Sequence, residues 1–99
     1  MKYKVIMSNR FSKDLKTISK RGYDLDKIKY VIKELSNGNS LSDKYKDHML
    51  KGDYASKREC HIEPDWLLIY EIDGEKLILI LLRTGTHSDL FNWFLLFVW

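Results

Sequence analysis

Two runs late in the chain, Leu67-Leu68-Ile69-Tyr70 and Leu77-Ile78-Leu79-Ile80-Leu81-Leu82, are apolar on successive residues and are separated by Asp73-Gly74. A strand with one wet face alternates apolar and polar positions, whereas a strand apolar throughout needs cover on both faces. Asp-Gly between β-prone runs is a strong hairpin signal. The pair therefore sits centrally in a sheet. A chain of 99 residues has room for one core, so the remaining elements must be arranged around that hairpin.

The elements that can do this come earlier. Residues 3–7 (YKVIM) are a short β-prone run. Ser8 or Asn9 can cap the helix that follows, where Phe11, Leu15 and Ile18 recur at helical spacing, and Gly22 suits its end. Asp24 starts a second helix with the apolar stripe Leu25, Ile28, Ile32 and Leu35, stopped by Asn37-Gly38. From Asn39 to Asp53 the chain is polar and turn-rich and reads as a surface loop. Strand-like runs at about 54–62, 66–72 and 76–83 follow, the first two broken by Pro64-Asp65. The expected fold is α+β with the order β-α-α-β-β-β. It comprises a small, mainly antiparallel sheet with an N-terminal helical hairpin on one face.

Composition excludes several function classes. The net charge of +3 is divided unevenly. Residues 1–51 carry 13 basic and 6 acidic side chains, a net +7, and residues 52–99 carry 4 basic and 8 acidic, a net −4. A basic half attracts a nucleic-acid backbone or an acidic protein segment, or is simply a set of solvated lysines on helix faces. The single cysteine, Cys60, precludes an internal disulfide and suits a reducing cytoplasm. No uninterrupted apolar signal segment opens the sequence, and the apolar run Trp93–Trp99 is far shorter than the ~20 residues a membrane span requires. No membrane association is expected. Cys60 and His61 are neighbours on a strand and point to opposite faces, and no CxxC or HxxxH spacing occurs. No metal site, cofactor or small-molecule ligand is expected, and no phosphate-binding glycine loop or nucleophile elbow is present.

The remaining candidates are polar. His48, His61, Asp65, Arg83 and His87 lie in or beside the expected strand ends and loops. Taken singly each has an ordinary explanation. The histidines suit a surface, Asp65 suits a turn bonding its own backbone, and Arg83 suits an ion pair. Together they supply a proton acceptor, a proton donor and a planar cation for phosphate, which is what metal-free cleavage of an RNA phosphodiester needs. Alternation over 54–62 sends Cys60 and Ile62 one way and Glu59 and His61 the other. With Cys60 towards the helices, His61 faces the open side. Arg83 lies on the same side of its strand as Leu77, Leu79 and Leu81, and residues 48 and 87 are then able to converge there. Trp66 and Phe91 are core residues or, alternatively, base-stacking platforms.

The blocks Tyr45-Lys46-Asp47-His48, Leu50-Lys51-Gly52, Arg58 to Tyr70 (RECHIEPDWLLIY) and Arg83 to Phe91 (RTGTHSDLF) resemble YafQ-type toxins of the RelE/ParE superfamily of bacterial toxin–antitoxin modules. The likeness runs from about residue 2 to residue 92, which defines a RelE/YafQ-like domain over 1–92 and an apolar C-terminal extension over 93–99. It implies a RelE-like fold and a ribosome-dependent mRNA endoribonuclease (an mRNA interferase), with ribosome and mRNA as partners and a cognate antitoxin as inhibitor. The family's active-site histidine in its KDH motif falls on His48. The histidine and aspartate of HxEPDW fall on His61 and Asp65, the arginine and histidine of RTGxH on Arg83 and His87, and the terminal aromatic on Phe91.

In that reading Asp65 or His48 is the base, His87 the acid, and Arg83 the phosphate-stabilising cation with His61 in support. Phe91 and Trp66 hold a base, and Lys46 and Lys51 contact the RNA backbone. Two departures stand out. Met49 occupies a position where the family commonly has proline, and the tail extends past the family's usual end near Phe91. The alternatives are a gyrase-poisoning toxin of the same superfamily, which needs no acid–base set, and a catalytically inert antitoxin-binding module.

Overall fold

The computed structural model describes residues 1–52 and 56–91. The extension 93–99, and the first part of the strand expected at 54–62, lie outside the described residues. The elements are β1 (Lys4–Met7), α1 (Asn9–Lys20), α2 (Leu25–Ser36), a 3-10 turn (Asp43–Tyr45), β2 (His48–Met49), β3 (Arg58–Glu63), β4 (Trp66–Asp73) and β5 (Ile78–Gly85), followed by a helical segment at 87–91. The five strands form one sheet in the order β1-β5-β4-β3-β2. Only the β1–β5 pairing is parallel. The α+β fold, its element order and the central position of the two fully apolar strands match the expectation.

The helices begin and end where local chemistry directs. Ser8 Oγ accepts the Phe11 N–H at 2.9 Å and donates to the Leu82 carbonyl at 2.9 Å, so one hydroxyl caps α1 and ties it to β5. Asp24 caps α2 by accepting from the Asp26 N–H. Gly22 follows α1 in the left-handed region at φ +85°, where a side chain would be strained. The apolar stripes of the two helices meet the sheet in one cluster in which Phe11, Ile18, Ile28 and Val31 pack with Cys60, Leu68, Tyr70, Leu79 and Leu81. The opposite face carries a smaller cluster of Leu67, Ile69 and Leu90, flanked by Leu50, Leu82 and Phe91. That face is therefore partly roofed by the 87–91 helix rather than wholly open.

Three details depart from the sequence expectation. His48 is not in a loop but on a two-residue edge strand, pairing with Glu59 while Met49 pairs with Arg58. So short a segment has no detectable period. The β4–β5 connection is longer than the two residues Asp-Gly suggests. Asp73 pairs with Ile78, Asp73 Oδ1 accepts the Glu75 and Lys76 N–H groups, and the left-handed residue is Leu77 (φ +55°). Finally, Leu79 and Leu81 face the helices, so strict alternation would send Arg83 there too. A bulge intervenes, because Tyr70 pairs with Leu81 but Ile69 with Arg83. One extra residue resets which way the end of β5 points.

Candidate active site

The sheet brings three imidazoles into a row. Register places His48 opposite Glu59 and His61 opposite Leu67, on adjoining strands. The His48 and His61 rings lie 6.5 Å apart and the His61 and His87 rings 5.8 Å apart, centroid to centroid. His61 is thus flanked by the other two.

Each ring is held through the same nitrogen. Nδ1 of His48 lies 2.6 Å from the Lys46 carbonyl, Nδ1 of His61 lies 3.2 Å from the Pro64 carbonyl, and Nδ1 of His87 bonds Asp65 Oδ1. A carbonyl or carboxylate oxygen only accepts, so Nδ1 carries the proton and Nε2 is the nitrogen turned away from that anchor. The supports are local. Lys46 is left-handed (φ +48°), which turns its carbonyl back toward the His48 ring. Asp47, between them, accepts from the Tyr70 hydroxyl at 2.6 Å and from Arg58 at 3.2 Å, fixing the segment to the sheet. Burial first, and then the bond to Asp47, push the Tyr70 hydroxyl well above its ordinary range, so it stays a donor.

His87 is placed by a reciprocal cap. Thr86 Oγ1 accepts the Asp89 N–H at 3.1 Å, and Asp89 Oδ2 accepts the Thr86 N–H at 2.9 Å, so His87 opens the 87–91 helix. Asp65 Oδ1 then accepts both the backbone N–H (2.9 Å) and the ring of His87. Those two bonds, the backbone one first, lower the Asp65 pKa and keep it an anion. Asp89 also binds Arg21 of α1 through two bonds of 2.6 and 3.0 Å, and that pairing lowers its own pKa strongly. Gly85 makes the fold-back possible, because a Cβ there would lie 2.9 Å from Asp89 Cβ.

Glu59 was not singled out from sequence, yet it sits at the centre of one arm. It is 7% exposed, and its Oε1 lies 3.5 Å from His61 Nε2 and 3.9 Å from His48 Nε2. The alternation of β3 put it on the face of His61. Only the edge pairing with β2 brings His48 over it.

Two other candidates are placed differently from the expectation. The Arg83 guanidinium engages Asp14 of α1, with Nε donating at 2.7 Å and Nη2 at 3.2 Å, and the Thr84 N–H donates to the same carboxylate at 3.2 Å. β1 pairs with β5 only as far as Leu81, so Asp14 serves the strand edge that β1 leaves. Arg83 is therefore held against α1, with its Nη1 donors left over. Trp66 lies in the core and not on the surface. It is fully buried in the helix-side core, its Nε1 donating to Thr84 Oγ1 at 2.9 Å and its ring edge-on to Tyr23 at 5.1 Å. Phe91 is half-buried against the Leu67–Ile69–Leu90 cluster. Lys46 and Lys51 are exposed. Among the described residues no three His, Cys, Asp or Glu side chains converge as a metal site. Cys60 is fully buried, and burial pushes its thiol far above the ordinary range, so it offers no thiolate.

These features match known proteins closely. The family described as bacterial toxin of type II toxin–antitoxin system, YafQ, matches residues 3–92. The mRNA interferase toxin YafQ of Escherichia coli K12 is 44% identical over 86 residues, covering 86% of this chain and 91% of that protein. In the E. coli DinJ–YafQ complex, the matching chain superposes with a TM-score of 0.82 at 41% identity, covering 90% of this chain and 98% of that one. A metal-bound toxin from Helicobacter pylori gives 0.85 at 44% identity, covering 90% and 99%. The fold and sequence together define a toxin of a type II toxin–antitoxin system. Within that class, the chain belongs to the YafQ family.

Proposed function

We propose that the chain is a ribosome-dependent endoribonuclease that cuts mRNA, silenced in the cytoplasm by a cognate antitoxin. The observation that carries this reading is the row of three imidazoles, each anchored through Nδ1. The name mRNA interferase of the E. coli relative supports it, as does that relative's occurrence in a complex with DinJ.

In the proposed reaction the 2′-oxygen bonds to the adjacent phosphorus and the bond to the 5′-oxygen breaks. The products are a 2′,3′-cyclic phosphate, or the 3′-phosphate formed from it by water, and a free 5′-hydroxyl. His48 takes the 2′-hydroxyl proton on Nε2, and His87 delivers a proton from Nε2 to the departing 5′-oxygen. Asp65 suited the base role on sequence alone. Its Oδ1 is committed to His87, so its role is to hold that ring in place. Base and acid on either side of His61 suit in-line displacement, with His61 contacting the phosphate between them. Glu59 Oε1 faces Nε2 of both His48 and His61. Arg83 turns its remaining Nη1 donors to phosphate, oriented by Asp14. The chemistry is proton transfer at these side chains, and no step passes through a metal.

A reconstituted translation reaction with mRNA 3′-end mapping tests the reading. Cuts in the ribosomal A site, persisting after chelated metals are restored as magnesium alone, are expected. Intact mRNA with gyrase-linked DNA breaks would establish the gyrase alternative instead, which needs no proton-transfer groups.

A further inference from the structure

A groove begins at His61 and is lined by neither of the other two imidazoles. It encloses about 710 Å³ between α2, the 3-10 turn and the β3–β4 connection. Its two aromatic rings are Tyr30 of α2 and Tyr45 of the 3-10 turn, stacked at 6.5 Å between centroids and 29° between planes. Tyr30 is 52% exposed, so its ring is open to a ligand. It is nevertheless held in place. Its hydroxyl donates to Glu34 Oε1 at 3.0 Å, and the other oxygen of Glu34 is fixed by Asn39 Nδ2 at 2.6 Å. Lys44 Nζ lies 5.1 Å from the centre of the Tyr45 ring, and Lys46 also lines the groove. Lys27 pairs with Glu63 at 2.6 Å, which leaves Lys44 and Lys46 as the lining cations outside any ion pair among the described residues, with Asp26 the remaining lining carboxylate.

A fixed aromatic pair beside two lysines is the equipment for an unpaired nucleotide, whose base stacks while its phosphate meets an ammonium. We infer that this groove is a subsite for single-stranded RNA, in which a nucleotide flanking the cleaved bond stacks on Tyr30 and Tyr45 with its phosphate on Lys44 and Lys46. The inference rests on the endoribonuclease reading and adds to it where the chain of the substrate runs beyond the reacting phosphate. Groove and imidazole row share His61, so a nucleotide in the groove lies next to the reacting phosphate.

The test is direct binding of a fluorescein-labelled 2′-O-methyl decaribonucleotide, which lacks the attacking hydroxyl and cannot be cut. The full chain is compared with Tyr30→Ala/Tyr45→Ala, Tyr30→Phe/Tyr45→Phe and Lys44→Ala/Lys46→Ala, each checked for an unchanged fold by circular dichroism. The alanine pair should weaken binding by at least about tenfold, while the phenylalanine pair, which keeps both ring faces, should bind within about twofold of the parent. The lysine pair should reduce the slope of log affinity against log salt by about 0.7, the value for one phosphate contact on a single strand. Unchanged RNA affinity in the alanine pair overturns the proposal, as does loss of affinity for the purified antitoxin without loss for RNA. RNA binding that depends on both tyrosines, in a protein that leaves ribosome-bound mRNA intact, would sink the cleavage reading and leave the subsite standing.

Discussion

Cys60 and His61 are consecutive residues on β3 that occupy opposite chemical environments. Cys60 is fully buried among Phe11, Ile28, Leu68 and Leu79, and burial holds its thiol neutral. His61 lies on the other face with Glu59, between two further imidazoles. One face is sealed by helices and carries stability. The other is bordered by short edges and turns and carries the polar chemistry. A sheet two residues in period builds both from one strand, and changes on the two faces should therefore be separable.

The sharpest way to break that comparison is His87→Ala. It removes the proposed acid from the polar face, where the side chain is half exposed, so cleavage should fall ~10²–10⁴-fold with the unfolding midpoint almost unmoved. A folded variant that cuts at the parent rate would overturn the acid assignment. Trp66→Ala is the converse. It empties a fully buried site on the helix face and should cost about 3–5 kcal/mol in denaturant unfolding. Activity lost without lost stability would return Trp66 to the substrate.

Arg83→Lys sharpens the boundary between the faces. An ammonium cannot make the paired Nε and Nη2 bonds to Asp14 and still turn donors outward, so cleavage should drop by roughly tenfold to a hundredfold. Near-parental turnover would reduce Arg83 to an ion-pair partner of α1. Glu59→Gln keeps the shape of the centre and removes its charge. With contacts of 3.5 and 3.9 Å, a loss of about tenfold is expected in single-turnover cleavage. No loss would make Glu59 a bystander.

The smallest effect concerns the clasp that holds the 87–91 helix. Arg21 lowers the folded-state pKa of Asp89 below its unfolded value of ~3.9. The resulting stability is present above that unfolded value and is lost as pH falls from there through the folded one. Both partners are partly exposed, so screening keeps the effect small. Urea midpoints between pH 6 and pH 2 should show it, and Asp89→Asn should flatten that part of the profile. An unchanged slope would remove the clasp from the stability balance.

Much of this was legible from the residues. The caps at Ser8 and Asp24, the stripes of α1 and α2, the central β4–β5 pair and the opposition of Cys60 to His61 all follow from short-range periodicity and local hydrogen bonding. The pattern Thr86-x-x-Asp89 was also there to be read as a helix start, and would have fixed His87 more firmly. The motifs shared with the YafQ family named the polar residues themselves.

What the sequence by itself determined, then, was which residues form helix or strand and which face each occupies, because those choices depend on neighbours a few positions away. Tertiary structure alone decided their partners. Glu59 lies against His48 only because a two-residue edge strand pairs there. Arg83 turns to Asp14, 69 positions away, because β5 bulges just beyond the point where β1 stops. Trp66 is buried because Tyr23 and Thr84, from two other parts of the chain, close over it. No local period records where a neighbouring strand ends or where a bulge shifts the alternation by one. Those are settled only when the whole sheet and its helices pack together, since each must satisfy backbone groups and apolar surface that the others leave exposed.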